Sequence, residues 1–279
     1  MGVSLTNLTN PQCRIAICHA RAAAIAVAAL AASVPPAPAL EAAQGVVVDV
    51  PAGAYTPFLR EKAPEGSGSQ RRRVEAFRLD AEPVTNAEFL DFVAAHPEWR
   101  KSRIKPLFAD ARYLRRWLSD LALPDAAARS EPVTDVSWFA AEAYCKARGL
   151  RLPTTEQWEY ALADQGRGQD AVRERSLEWF AEPNGERPGA IGASPANDFG
   201  LFDMVGLVWE WTLDFNAYAI TAESRDPNGK DNASFCGAAA AGVADLTDYP
   251  AFMRFSMRAS LKADYTADNL GFRCAGPAS

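Results

Sequence analysis

The chain has 279 residues, 48% hydrophobic and 23% charged, and carries 29 Lys+Arg against 35 Asp+Glu for a net charge of -6. That acidic balance argues against nucleic acid as a partner. No GxSxG, P-loop or dinucleotide-type GxGxxG motif is present, so hydrolase, phosphoryl-transfer and dinucleotide chemistries have nothing to rest on.

The N-terminus begins with Arg14 and Arg21 and no acid before Glu41, then the apolar run 22–32, Pro35, Pro36 and a small-x-small site at Ala37 and Ala39. This pattern predicts a secretory signal peptide over 1–39, cleaved after Ala39, with the product periplasmic or secreted. The apolar run is about half the roughly 20 residues a membrane helix needs, so no anchor is expected after cleavage. Removal of 1–39 takes away two arginines and no acids; Lys+Arg falls from 29 to 27 against 35, and the net charge becomes -8. His96 is then the one histidine, which rules out a two-His iron or three-His zinc site. It sits before Pro97 at an expected helix end, a place for a solvated histidine rather than a catalytic one.

Residues 40–279 are expected to form a single domain with its core in 46–275. GVVVDVPAGAYTPF (45–58) reads as a hairpin: a β-branched run, a Pro/Gly turn and a second extended run. Residues 61–70 are polar and Gly/Ser-rich and lead through the basic Arg71–Arg73, read as a solvated loop or a docking patch, into the strand VEAFRLDAEPVT (74–85). Thr85 with Glu88 forms a capping box for a helix over 86–95 whose apolar face is Phe89, Phe92 and Val93. Ser137 caps a helix from Trp138 to Arg148 that Gly149 can end in the left-handed conformation. Thr154 with Gln157 repeats the box before a third helix through Ala163, after which the chain reads as irregular through Asn197.

Five segments carry more information than the rest: PVTNAEF from Pro83, PVTDVSW from Pro132, RLPTTEQWEYAL from Arg151, GLFDMVGLVWEW from Gly200 and NLGFRCA from Asn269. In order and spacing they resemble the formylglycine-generating enzyme family, the sulfatase-modifying-factor domain. The resemblance implies an α+β, C-type-lectin-like fold with short twisted strands, few helices and much coil.

Beyond the leader there are three cysteines, Cys145, Cys236 and Cys274, and an odd count in an exported chain suggests one bridge and one free thiol. The resemblance implies the pairing Cys145–Cys274. It also implies a test of activity, because family members that make formylglycine hold copper(I) between two cysteines after a Gly-Gly-Ser-aromatic motif. Here that motif is Asn232-Ala233-Ser234-Phe235 before Cys236; the second cysteine would fall near Pro250, and none lies between 237 and 273. Copper or iron is therefore not expected to be held by this chain alone. Cys236 is the candidate catalytic thiol, and its other reading is a small buried residue.

Asp203 and Glu210, with the carbonyls of Gly206 and Val208 between them, match a family calcium site, an oxygen mixture that calcium accepts. Leu207 stands where the family usually has Asn, and the two carboxylates also read as ordinary hydrogen-bond acceptors. Arg254, Arg258 and Arg273 lie in the segment corresponding to the family's groove and read as a carboxylate-binding set or as partners of internal acids. Trp138, Trp158, Trp209, Trp211, Phe252, Phe255 and Phe272 read as core. The stretches after Cys236 resemble bacterial branches found with copper nitrite reductase or pyoverdine maturation. That implies an accessory or maturation factor for another periplasmic protein or peptide-derived product; a non-catalytic binding module and an oxidase-like modifying enzyme using Cys236 are the alternatives.

Overall fold

The computed structural model describes residues 45–58, 71–164, 169–181, 187–216 and 248–279; the leader and Cys236 lie outside them. The largest sheet is built from chain ends far apart in sequence. β1 (Val47–Val50) pairs antiparallel with β4 (Phe77–Asp80), whose other edge takes β7 (Ala275–Pro277). Leu79, fully buried, faces Val48 on one side and Ala275 on the other. A second pair joins β2 (Gly53–Tyr55) to β3 (Arg72–Val74). A third sets β5 (Trp209–Glu210) parallel to β6 (Leu270–Gly271), which brings the VWEW and NLGF segments side by side. Gly271 is required there, since a Cβ would sit 2.8 Å from the Val133 carbonyl oxygen.

The hairpin expected over 45–58 does not form. Its two runs join different sheets, β1 with β4 and β2 with β3. Pro51 has no N–H to donate to a returning strand, and its carbonyl accepts the Tyr160 hydroxyl at 3.0 Å, so the chain crosses from one sheet to the next.

The helix signals hold, with α2 ending at Ala147, one residue short of the expected Arg148. α1 (Asn86–Ala95) starts on the Thr85/Glu88 capping box and buries Phe89, Phe92 and Val93. α2 (Trp138–Ala147) starts on Ser137, and Gly149 follows its cap at φ 70°. α3 (Thr155–Ala163) starts on the Thr154/Gln157 box and stops where Asp164 turns left-handed. Two helices were not expected: α4 (Gln169–Ala181), in the stretch read as irregular, and α5 (Tyr249–Ser260). The architecture is α+β with few helices and short strands. Among the described residues no helix is long and apolar enough to cross a membrane.

Two buried clusters fill the interior: one gathers α1, α2 and the C-terminal segment around Phe89, Trp211 and Phe272; the other gathers the first two sheets and α3 around Phe77, Leu79 and Tyr160. The bridge between Cys145 of α2 and Cys274, both fully buried, is present, with Cα atoms 5.5 Å apart and a sequence separation of 129. Closing so long a loop stabilises by about 4 to 5 kcal/mol in the chain-entropy account. Replacing both cysteines by alanine is expected to lower unfolding free energy by about that amount, read as a fall in the urea midpoint, while non-reducing peptide maps of the native protein show the single Cys145–Cys274 cross-link.

Candidate binding groove

Three arginines and two glutamates are buried together where α3, α5 and the C-terminal strands meet. Glu159 on α3 accepts from Arg254 at 3.0 Å and from Arg258 at 2.6 Å, both one helical turn apart on α5. Burial alone would push the Glu159 carboxyl up, but the two guanidiniums outweigh it and hold its pKa below the ordinary carboxylate value. Arg258 also lies over the Trp158 ring, 4.5 Å from its centroid, while the Trp158 indole N–H donates to Glu210 at 2.8 Å. Glu210 in turn faces Arg273, whose guanidinium donates to both carboxylate oxygens and to the carbonyls of Asp80, Ala81 and Phe202.

These contacts correct two sequence expectations. Arg254, Arg258 and Arg273 do not form a ligand-binding set: their side chains are 3%, 6% and 0% exposed and are committed to internal carboxylates. The net acidity that suggested pairing with internal acids is the reading the structure supports. Nor do Asp203 and Glu210 fit as joint calcium ligands. Asp203, left-handed at φ 52°, accepts from the backbone N–H groups of Gly192 and Ser194 and from the Ser194 hydroxyl. Both Glu210 oxygens are taken by Arg273 and Trp158, so a cation placed on Glu210 would face a buried guanidinium. Among the described residues no three His, Cys, Asp or Glu side chains converge. Cys236 falls outside the described residues, whereas His96 caps the end of α1 against the Phe92 ring.

An open cavity of about 520 Å³ lies beside this network. One wall is aromatic: Trp179 and Phe180 from α4, Trp209 from β5 and Tyr249 from α5. Phe180 stacks on Trp209 with centroids 5.6 Å apart, Trp179 meets Trp209 at 4.8 Å, and Tyr249 stands edge-on to Phe180 at 6.4 Å. Tyr249 is 51% exposed, a large apolar surface left open to solvent. Trp209, expected in the core, is half-buried: it packs against the Phe89–Trp211–Phe272 cluster and also lines this cavity.

The polar lining residues are Arg116, Arg187, Asp268 and Asn269. Arg187 is closed off, donating to both Asp125 and Glu131, which holds the exposed Asp125 carboxyl down to about 2. Arg116 belongs to a different kind of cluster. Asp110 ties the 110–117 segment to the 264–268 turn by accepting from Thr266 N–H and Oγ1 and from Arg112 N–H. Leu114, left-handed at φ 46°, donates its N–H to the carbonyl of Asp135, itself left-handed at φ 55°, whose N–H donates to Ala267. Left-handed backbone at Leu is costly and persists only where surrounding bonds enforce it. Sequence reasoning did not single out Arg112, Arg115 and Arg116, although three arginines within RYLRRW are a visible cationic cluster; Trp179 and Phe180 were lost with the unrecognised α4.

The family described as the sulfatase-modifying factor enzyme 1-like domain matches residues 31–278. The chain belongs to this family. Within it, the chain is similar to the inactive C-alpha-formylglycine-generating enzyme 2 of Mus musculus, 31% identical over 277 aligned positions that cover 83% of this chain and 86% of the relative. It is 29% identical to the formylglycine-generating enzyme of Bos taurus, over 82% of this chain and 74% of that protein. Among solved structures, CarF superposes with a TM-score of 0.46 at 15% identity, covering 85% of this chain and 99% of CarF. PvdO from Pseudomonas aeruginosa gives 0.44 at 17% identity, covering 83% and 94%. The motifs by which the chain resembles the sulfatase-modifying-factor family, TEQWEY, VWEW and NLGFRC, are the ones that carry Glu159, Glu210 and Arg273.

Removing Glu159 would leave Arg254 and Arg258 as uncompensated buried charges, so Glu159→Gln is expected to cost about 3 to 5 kcal/mol. Because the folded-state pKa of Glu159 lies below the unfolded value, its contribution is present above the unfolded pKa and is lost as pH falls through the folded one. Urea midpoints across that acid range should therefore fall more steeply for the wild type than for Glu159→Gln; parallel curves would contradict the assignment.

Proposed function

We propose that this chain is an exported accessory or maturation factor of the sulfatase-modifying-factor family that engages a periplasmic protein or peptide in the aromatic groove and does not generate formylglycine. Cysteine arithmetic carries the reading. Cys145 and Cys274 are consumed by the bridge, so cleavage after Ala39 leaves Cys236 as the one free thiol. Copper(I) held between two thiolates can admit a substrate thiol as a third soft ligand; a lone thiolate offers neither the affinity nor the fixed geometry. The similarity to a relative named as inactive supports the same reading. The groove supports the binding role, because it presents aromatic surface to solvent on a scaffold held by a disulfide and buried ion pairs. The nitrite-reductase and pyoverdine branches that its motifs resemble supply the class of partner: a periplasmic protein or a peptide-derived product.

Incubation of the purified protein with copper(I), oxygen and a sulfatase-type cysteine peptide is expected to leave the thiol unchanged by mass spectrometry. Aldehyde formation above the protein-free control, abolished in Cys236→Ser, would establish an oxidase instead. N-terminal sequencing of exported protein is expected to begin at Leu40.

A further inference from the structure

The arginines at the polar end of the groove are short of acceptors. One oxygen of Asp268 serves three guanidiniums: it lies 3.2 Å from Arg115, 3.9 Å from Arg116 and 4.0 Å from Arg112, so only the first is at hydrogen-bond distance. The Arg116 Nη1 and Arg112 Nε atoms are shielded from solvent and have no acceptor among the described residues. Asp135, 1% exposed, lies beneath them, yet neither of its oxygens receives a hydrogen bond. Its backbone is pinned left-handed between Leu114 and Ala267. Among the described residues three cations thus face two carboxylates, of which one makes a single hydrogen bond and the other none, so a carboxylate that reaches Arg116 from the cavity would add a charge-assisted bond the fold does not supply.

Arg116 and Asp268 both line the 520 Å³ cavity, together with Trp179, Phe180, Trp209 and Tyr249. A cationic edge and an aromatic wall in one cavity select for two features in one ligand. We propose that the groove recognises an acidic peptide segment, with an Asp or Glu side chain set against Arg115 and Arg116 and an apolar or aromatic neighbour set against the Trp209 wall. This rests on reading the groove as the binding site, and it specifies the partner chemically: the segment entering the groove carries a carboxylate rather than a basic residue. Arg116 lines the cavity 3.9 Å from Asp268, beyond hydrogen-bond distance, Arg115 holds the Asp268 carboxylate beside it, and Arg187, already held by Asp125 and Glu131, takes no part.

The test uses the tryptophans of the wall as reporters. Blocked peptides with a central Phe and a Glu, Gln or Lys one or two residues away are titrated against the full mature protein at low and at physiological salt. The Glu peptides are expected to bind about tenfold more tightly than the Gln peptides, the equivalent of about 1.4 kcal/mol, with the margin shrinking as salt rises. Arg116→Gln, and independently Arg115→Gln at a side chain 49% exposed, should reduce Glu binding to the Gln level while leaving Gln binding and the urea midpoint unchanged. Equal affinity for Glu and Gln, abolished in both cases by Trp209→Ala, would overturn the acidic preference and leave the groove as a binding site. Tighter binding of the Lys peptides would overturn the proposal in the opposite sense. Binding by none of the peptides would overturn the groove reading itself.

Discussion

The Arg273 guanidinium is the contact through which the distant parts of this fold meet. It is fully buried, and its five N–H donors reach the Glu210 carboxylate on β5, the Asp80 and Ala81 carbonyls at the end of β4, and the Phe202 carbonyl of the loop between them. No apolar side chain of that size could satisfy three inward carbonyls at once. The neighbouring residue, Cys274, is bonded to Cys145 of α2 and gives its N–H to Asp80, whose carboxylate also holds Arg148 in a two-point pair at 2.7 and 2.9 Å. Two consecutive residues therefore fasten the C-terminal strand to the first sheet, to α2 and to β5.

That arrangement explains why the groove can afford unusual conformations at its edge. With β5 and β6 fixed by Glu210, Arg273 and the close approach of Gly271 to Val133, the 264–269 turn has a rigid base. Asp110 and the backbone bonds through Leu114 and Asp135 then hold the arginine-bearing segment against that turn despite two left-handed non-glycine residues. Strain at these positions is supported by the scaffold rather than relieved by it. Burial pushes the Asp135 carboxyl above the ordinary carboxylate value. Glu159 behaves in the opposite way, because two guanidiniums lie at bonding distance of its carboxylate.

Much of this was legible in the sequence where local chemistry decides the outcome. Capping boxes set the starts of α1 and α3, Ser137 caps α2, and a left-handed glycine follows α2, because those signals are satisfied within a few residues. The Cys145–Cys274 bridge came from resemblance, and the structure places both sulfurs in bond. What escaped depends on partners far along the chain. The 45–58 runs look like a hairpin by composition, and only the distant strands β3 and β4 pull them apart. α4 was hidden because it buries almost nothing: of its residues only Ser176 is fully covered, so it lacks an apolar stripe. α5 was hidden for the reverse reason, since its inward face carries Arg254 and Arg258 at positions that hydrophobic periodicity scores as solvent. Glu159, four helical residues into TEQWEYAL, gives no local sign that it awaits two arginines nearly a hundred residues away.

The groove's electrostatics also run against the chain as a whole. A protein of net charge -6 repels an acidic peptide at a distance. Screening reduces that repulsion beyond a Debye length of about 8 Å at physiological ionic strength, while Arg115 and Arg116 act within a few ångströms. Long-range steering is therefore unfavourable and short-range contact favourable, a combination that slows encounter with acidic chains in general and retains those able to place a carboxylate at the arginines and an apolar group on the aromatic wall together. Selectivity then lies in the dissociation rate, set by simultaneous occupation of both walls, rather than in attraction of charge by charge.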